Sequence, residues 1–216
     1  VVRVTLQTKA DTRARLLEAA AEAFARSGLD GANINEISQA AGFSKGTVYG
    51  YFESKEALFL AVVEEACART VAEAPQVDEH ASTAERLRAV LSSDVEWARQ
   101  HPAFEQVLVR ELFGAKPELY ERVVAAAAPY VERVAEILRD GVERGEVRGD
   151  VPADQLALIF TGLGMLGLIE NWGSGGLWPA LDDIAPLMVE LFLNGARLQA
   201  AGLAAAAPNA RKVVRS

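Results

Sequence analysis

The chain has 216 residues and a formal charge of -8, with half of its residues apolar and 24% charged. That length fits one large domain or two small ones, the apolar share excludes a disordered chain, and the acidic balance argues against a protein that coats nucleic acid indiscriminately. Cys67 is the only cysteine, which excludes an intrachain disulfide and a cysteine-rich zinc site and points to a reducing, cytoplasmic compartment.

The opening stretch VVRVTLQTKADTRAR has no apolar run of signal-peptide length. Of its basic residues, Arg3 and Lys9 read as solvated, while Arg13 and Arg15 suit phosphate or minor-groove contact as well as a plain surface. Leu16, Leu17, Ala20, Ala21 and Phe24 recur at three- and four-residue steps and predict a helix from about Lys9 to Arg26, with Thr8, Asp11 or Thr12 as cap and Gly28 as stop. A short helix over 34–41, with Ile34, Ile37 and Ala41 inward, ends at Gly42. Ser44 caps the next, over 45–52, and Ser54 caps a longer one running to about residue 74. After a polar break at 75–82, helices are expected near 83–100, 103–113, 117–144, 153–172 and 182–200, separated by proline and glycine punctuation. Pro129 predicts a kink or restart in the third of these. Period-two alternation is missing, so no sheet is expected, and residues 201–216 read as a frayed tail. The most apolar stretch, 156–169, falls short of the roughly 20 residues a bilayer span needs, so the chain reads as soluble with no membrane partner.

Charge is unevenly placed. Residues 1–60 carry seven basic and seven acidic side chains, so the whole excess of acid lies in 61–216, and 40–52 contain no acid. Residues 34–52 themselves read helix, glycine turn, helix. In that helix-turn-helix arrangement the second helix enters the major groove of DNA. Ile37, Ala41, Phe43 and Val48 would join the two helices, leaving Ser44, Lys45, Thr47, Tyr49 and Tyr51 outward near the second helix's N-terminus, where free N–H groups favour phosphate.

The string is more specific than the pattern. NINEISQAAGFSKGTVYGYFESKEAL (33–58), preceded by TRARLLEAAAEAFARSGLDGA, closely resembles the signature of the tetracycline-repressor (TetR) family of bacterial transcription regulators across about the first 60 residues. The resemblance implies that Lys45 and Thr47 touch base edges or phosphates and that Tyr49 and Tyr51 pack on the sugar-phosphate backbone. It likewise places Asn33 and Asn35 at the start of the helix straddling the backbone, makes Lys55 a phosphate contact, lets Gly46 allow close approach, and puts Val48 and Phe52 in the core. Gly50 departs from the family, which usually has a larger side chain there; the second helix is expected to read fewer bases directly or to order fully only on DNA.

The implied fold is all-α: an N-terminal three-helix DNA-binding domain with the helix-turn-helix (1–53), then a C-terminal helical ligand-binding and dimerisation domain (54–200) and the tail. The apolar surplus of the last two helices suggests a subunit interface at Leu166, Ile169, Leu187, Met188, Leu191 and Phe192, which the family forms as a four-helix contact. Trp97, Phe104, Leu108, Phe113, Tyr120, Leu163, Met165 and Trp172 are candidates for an apolar effector pocket, with Arg110 and Glu111 near enough in sequence to orient a polar head. His80 and His101 are isolated, so no metal is expected. No catalytic motif occurs, Cys67 reads as core, and no cofactor is implied. The function expected is therefore a homodimeric repressor that leaves a palindromic operator in double-stranded DNA when a small apolar or amphipathic effector shifts the helix near 54–74. The alternatives are an activator or protein-controlled regulator of the same fold and, in another class, a helical carrier or enzyme.

Overall fold

The computed structural model describes residues 6–73, 75, 76, 78, 80–114 and 117–196, and side chains within these except at 6, 7, 111–114, 117, 118, 195 and 196. Arg3 and the 201–216 tail lie outside them. Among the described residues the chain is all helix: α1 (Leu6–Gly31), α2 (Ile34–Ala40), α3 (Lys45–Tyr51), α4 (Lys55–Ala72), α5 (Thr83–Gln100), α6 (Pro102–Gly114), α7 (Pro117–Glu143), α8 (Ala153–Gly173) and α9 (Leu181–Ala196).

The helices start where the sequence offers side-chain oxygens. Asn33, Ser44, Ser54 and Ser82 each accept a first-turn backbone N–H, at α2, α3, α4 and α5 in turn. Each such cap contributes about 1 kcal/mol. At α5 the Glu85 carboxylate answers by accepting the Ser82 N–H at 2.9 Å. Near its end α1 breaks at Gly28, where φ is 67°.

Two buried cores result. In the first, the stripe Leu16, Leu17, Ala20 and Phe24 of α1 packs on α4 and α6, and the Phe24 ring meets Phe59 edge-on at 5.0 Å. Ile37, Ala41 and Val48 of the α2–α3 unit join this core, as do Trp97, Phe104 and Leu108. The second core lies among α5, α7, α8 and α9, around Leu87, Leu138, Phe160 and Ile184.

Two sequence expectations are refined. Of the kink or restart expected at Pro129, the restart does not occur, and α7 passes through it as one helix. Proline there removes a backbone donor, yet the stripe on either side of it (Val123, Tyr130, Val134, Leu138) is buried and keeps both halves docked. α8 is also longer than its apolar stretch: its 21 residues have the length and composition to cross a membrane. It packs against α7 and α9 with Leu156, Ala157, Phe160 and Leu168 buried. Gly167 sets the approach to α9, since a Cβ there would stand 2.8 Å from Ile184 Cγ2.

Candidate nucleic-acid interface and internal cavity

The turn between α2 and α3 rests on Gly42, whose φ of 76° belongs to glycine. The missing side chain leaves room for Arg15, which donates to the Ala41 carbonyl at 2.8 Å and lies 4.8 Å over the Phe43 ring. Arg13 pairs with Glu65 of α4 at 3.0 Å and lies over the Phe52 ring. These two arginines, ambiguous in the sequence, thus tie α1 to its neighbours.

Ser44, Lys45 and Gly46 are exposed at the N-terminus of α3, with Thr47 half-buried beside them. The Ser44 hydroxyl accepts the Thr47 N–H at 3.2 Å and sits 3.0 Å from the Thr47 hydroxyl. Tyr49 is 47% exposed, with the Lys45 ammonium 5.9 Å from its ring centre. Tyr51 is half-buried against Phe52, and Val48 and Phe52 are core. Asn35 is exposed on α2, whereas Asn33 caps that helix by accepting the Asn35 N–H. Lys55 donates to the carbonyls of Asp30 and Ala32 at 3.1 and 3.2 Å, so it bridges the α1–α2 link.

At Gly50 an added Cβ would meet nothing within 4 Å. Gly50→Ala is therefore expected to raise stability by about 0.5–1 kcal/mol in urea unfolding, through helix propensity alone. A decrease on this substitution would show a constraint on the α3 backbone that the free space does not reveal.

A cavity of about 430 Å³ opens among α4, α5, α6, α7 and α8. Leu108 and Met165 line it. The other effector candidates whose side chains are described lie elsewhere. Trp97 is buried, stacked on His101 at 5.0 Å with its indole N–H unpartnered, and Phe104 adjoins it at 6.3 Å. Leu163 and Trp172 pack on the second core, and Tyr120 is 53% exposed. The side chains of Phe113 and Glu111 lie outside the described residues. Arg110 turns away from the cavity and donates to the Phe24 and Ala25 carbonyls, at 3.2 and 2.8 Å, near the α1 break.

Sequence reasoning passed over Asp94, Glu105 and Tyr130, which line the cavity beside Cys67, the residue it reads as core. Asp94 accepts the Tyr130 hydroxyl through one oxygen, while its other oxygen is buried without a partner. Burial holds the Asp94 carboxyl well above the usual carboxylate range, and burial with the neighbouring Asp94 charge raises the Tyr130 phenol. Glu105 is 6% exposed, and burial pushes it up to about 7. Burial, then the Glu105 charge, pushes the Cys67 thiol up to about 12. Among the described residues no group of three metal-ligating side chains forms.

Glu105 imposes a pH signature on stability. Its value rises from 4.5 to about 7 on folding, so the folded chain binds the extra proton and ionised Glu105 opposes folding above that window. Glu105→Gln is expected to be close to neutral near pH 4 and to gain stability across pH 4.5 to 7. The gain should level off at about 3 kcal/mol above it in urea unfolding. A gain independent of pH would assign it to packing rather than charge.

On α8, Ile159, Gly162, Leu166 and Ile169 follow one another at three- and four-residue steps. Ile159, Leu166 and Ile169 are exposed, as is Leu191 of α9, with Leu187 half-buried. Met188 and Phe192, expected on a partner-facing surface, instead point into the second core, where Phe192 meets Phe160 at 5.2 Å.

Comparison with known proteins agrees with this geometry. Residues 16–62 match the model of bacterial regulatory proteins of the tetR family, and 80–196 match a tetracyclin repressor-like C-terminal domain. The HTH-type transcriptional repressor AcnR of Corynebacterium diphtheriae is 26% identical over 178 residues, 82% of this chain and 90% of that protein. The HTH-type transcriptional repressor SCO4008 of Streptomyces coelicolor is 28% identical over 173 residues, 74% and 77% of the two chains. The transcriptional regulator FadR from Bacillus subtilis, solved in complex with stearoyl-CoA, shares the fold with a TM-score of 0.75 at 21% identity, over 85% of this chain and 99% of that one.

Proposed function

The chain belongs to the tetracycline-repressor family of bacterial DNA-binding transcription regulators, and from that premise we propose that it is a cytoplasmic repressor whose hold on a palindromic operator is released by a small molecule in the α4–α8 cavity. Residues 1–53 would form the reading unit and 54–200 the effector and dimerisation body. The proposed DNA contacts are Ser44, Lys45, Gly46, Thr47 and Tyr49 of the exposed α3 surface, with Asn35 and the edge of Tyr51 beside them. Asn33, through its cap on α2, and Lys55, through its bonds to the Asp30 and Ala32 carbonyls, support that surface and lie close enough to meet phosphate.

The observation that carries the switch is α6. One face of this helix supplies Glu105 and Leu108 to the cavity, and Arg110, in the next turn, holds the end of α1. α1, the first helix of the reading unit, in turn holds α2 and α3 through Arg15 on the Ala41 carbonyl and through the first core. A ligand that displaces α6 or α4 therefore moves the base of the reading unit. Half-sites lie at fixed helical spacing, so a few ångströms of change in the separation of two α3 helices prevents both from docking. The ligand must prefer the displaced state, since only differential affinity shifts the balance.

The test is fluorescence anisotropy on the DNA upstream of the protein's own gene, against random duplex. Selective binding that weakens steeply with salt is expected. Lys45→Ala should weaken binding and make the salt dependence shallower, by about one in slope if the ammonium neutralises a single phosphate. Equal affinity for random duplex, with Lys45→Ala and Tyr49→Ala both inert, would remove the assignment of this surface.

A further inference from the structure

Resting on the reading of α4–α8 as an effector body, we propose that the cavity takes a lipophilic cation: an apolar skeleton bearing a protonated amine or quaternary ammonium, its charge set against Glu105 and Asp94. The lining combines apolar surface with four carboxylates, and it contains no lysine, arginine or histidine among the described residues. Two of the carboxylates are already engaged, since Arg139 reaches Glu132 at 2.7 Å and Asp154 at 3.2 Å.

Glu105 is not engaged. It is 6% exposed, it lines the cavity, and its carboxyl has no hydrogen-bond or ion-pair partner among the described residues. A lone buried carboxyl is costly, because the ionised form has lost water and gained nothing in return. Asp94 adds a fully buried oxygen without a partner, and burial with the Glu105 charge raises its carboxyl against the opposing pull of the Tyr130 hydroxyl and Arg133.

Each class of head group fares differently here. A cation supplies the missing counter-charge, in surroundings where an ion pair is stronger than at a surface. An anionic head would add a like charge beside two carboxyls, with only hydroxyl and thiol groups to receive it. A neutral head gains a hydrogen bond at most. A bare metal ion would find two carboxyls and a phenol already committed to one of them, and would leave the apolar walls unused. The volume of about 430 Å³ falls in the range of small-molecule sites, about 300–1,000 Å³, which fits an apolar body behind the charge.

Three probes with one tail test this: octyltrimethylammonium, octanol and octanoate. Each is titrated calorimetrically into the full chain below its micellar concentration, at a pH one unit above the Glu105 value of about 7. The cation is expected to bind about ten-fold or more tighter than octanol, a difference of about 1.4 kcal/mol, with octanoate weakest. Glu105→Gln should erase most of the advantage of cation over alcohol. It keeps the side chain's shape and removes a buried charge, so the fold is not at risk. Leu108→Trp, which narrows the cavity, should weaken cation and alcohol together and so locate both. The assignment is overturned if octanoate matches the cation, if none of the probes binds, or if Glu105→Gln leaves the cation-to-alcohol ratio intact.

Operator affinity measured in the same titrations separates this assignment from the switch. Cation binding with operator affinity unchanged supports the cavity assignment and defeats the effector reading. Operator release by octanoate and not by the cation defeats the assignment and supports the effector reading.

Discussion

Phe59→Ala is expected to cost about 3–5 kcal/mol of unfolding free energy, the range for emptying an aromatic site in a packed core. Phe59 is 1% exposed and Phe24 fully buried, and their edge-to-face contact joins α4 to α1. Part of the cost is transfer of the ring to water, part is the cavity left behind, and about 0.5–1.5 kcal/mol is the aromatic pairing itself. A domain of ordinary stability has about 5–15 kcal/mol in total, so this one truncation removes a large fraction. The position matters beyond its size. α1 carries α2 and α3 through Arg15 and the Ile37–Val48 packing, so loosening α1 from α4 frees all three from the helices that line the cavity. Urea unfolding of Phe59→Ala beside Phe59→Leu checks the claim: leucine should recover much of the stability by refilling the site. A cost below about 1 kcal/mol for alanine would mean that α1 and α4 are held by other side chains.

The reading unit was the most legible part of the sequence, and the reason is local. Caps such as Ser44 and Ser54, the turn at Gly42 and the stripe from Leu16 to Phe24 are each specified within a few residues. The contacts that Arg13, Arg15 and Lys55 make within the chain were not legible, because their partners (Glu65, the Ala41 carbonyl, the Asp30 and Ala32 carbonyls) lie 52, 26, 25 and 23 residues away.

The cavity was misread for a different reason. Large aromatic side chains were the candidates, yet a cavity forms where side chains are small or absent. Its walls include Ala127, Ala128, Gly162 and Gly164, while Trp97 and Phe104 fill the neighbouring core. A usable signal was present all the same. Asp94 falls four residues after Val90 and three after Leu91, on the buried stripe of α5, and Glu105 sits between Phe104 and Leu108 on α6. Carboxylates on an apolar stripe, without a lysine or arginine one turn away, mark a buried charge that something else must answer.

Replacing Leu166 and Leu191 together with glutamate is expected to separate the protein into monomers and to reduce operator affinity by about 10²–10⁴-fold. Regulators of this family bind DNA as dimers. In this chain Leu166 is 44% and Leu191 54% exposed, so charge at these positions leaves the protomer's own cores untouched. In a twofold contact each substitution appears twice, and the resulting four carboxylates would be buried without cations to pair them. Operator binding falls because two α3 helices on one body act at a high effective concentration, and that advantage disappears when each reads its half-site alone. Removing a phosphate-binding side chain has a different pattern: Lys45→Ala should change the salt slope while leaving the dimer intact. Light scattering at micromolar concentration, beside anisotropy on whole and half operators, separates the two. The double variant should bind whole and half sites alike, whereas the unaltered chain should favour the whole site strongly. A double variant that remains dimeric and keeps that preference would place the subunit contact away from the exposed stripes of α8 and α9.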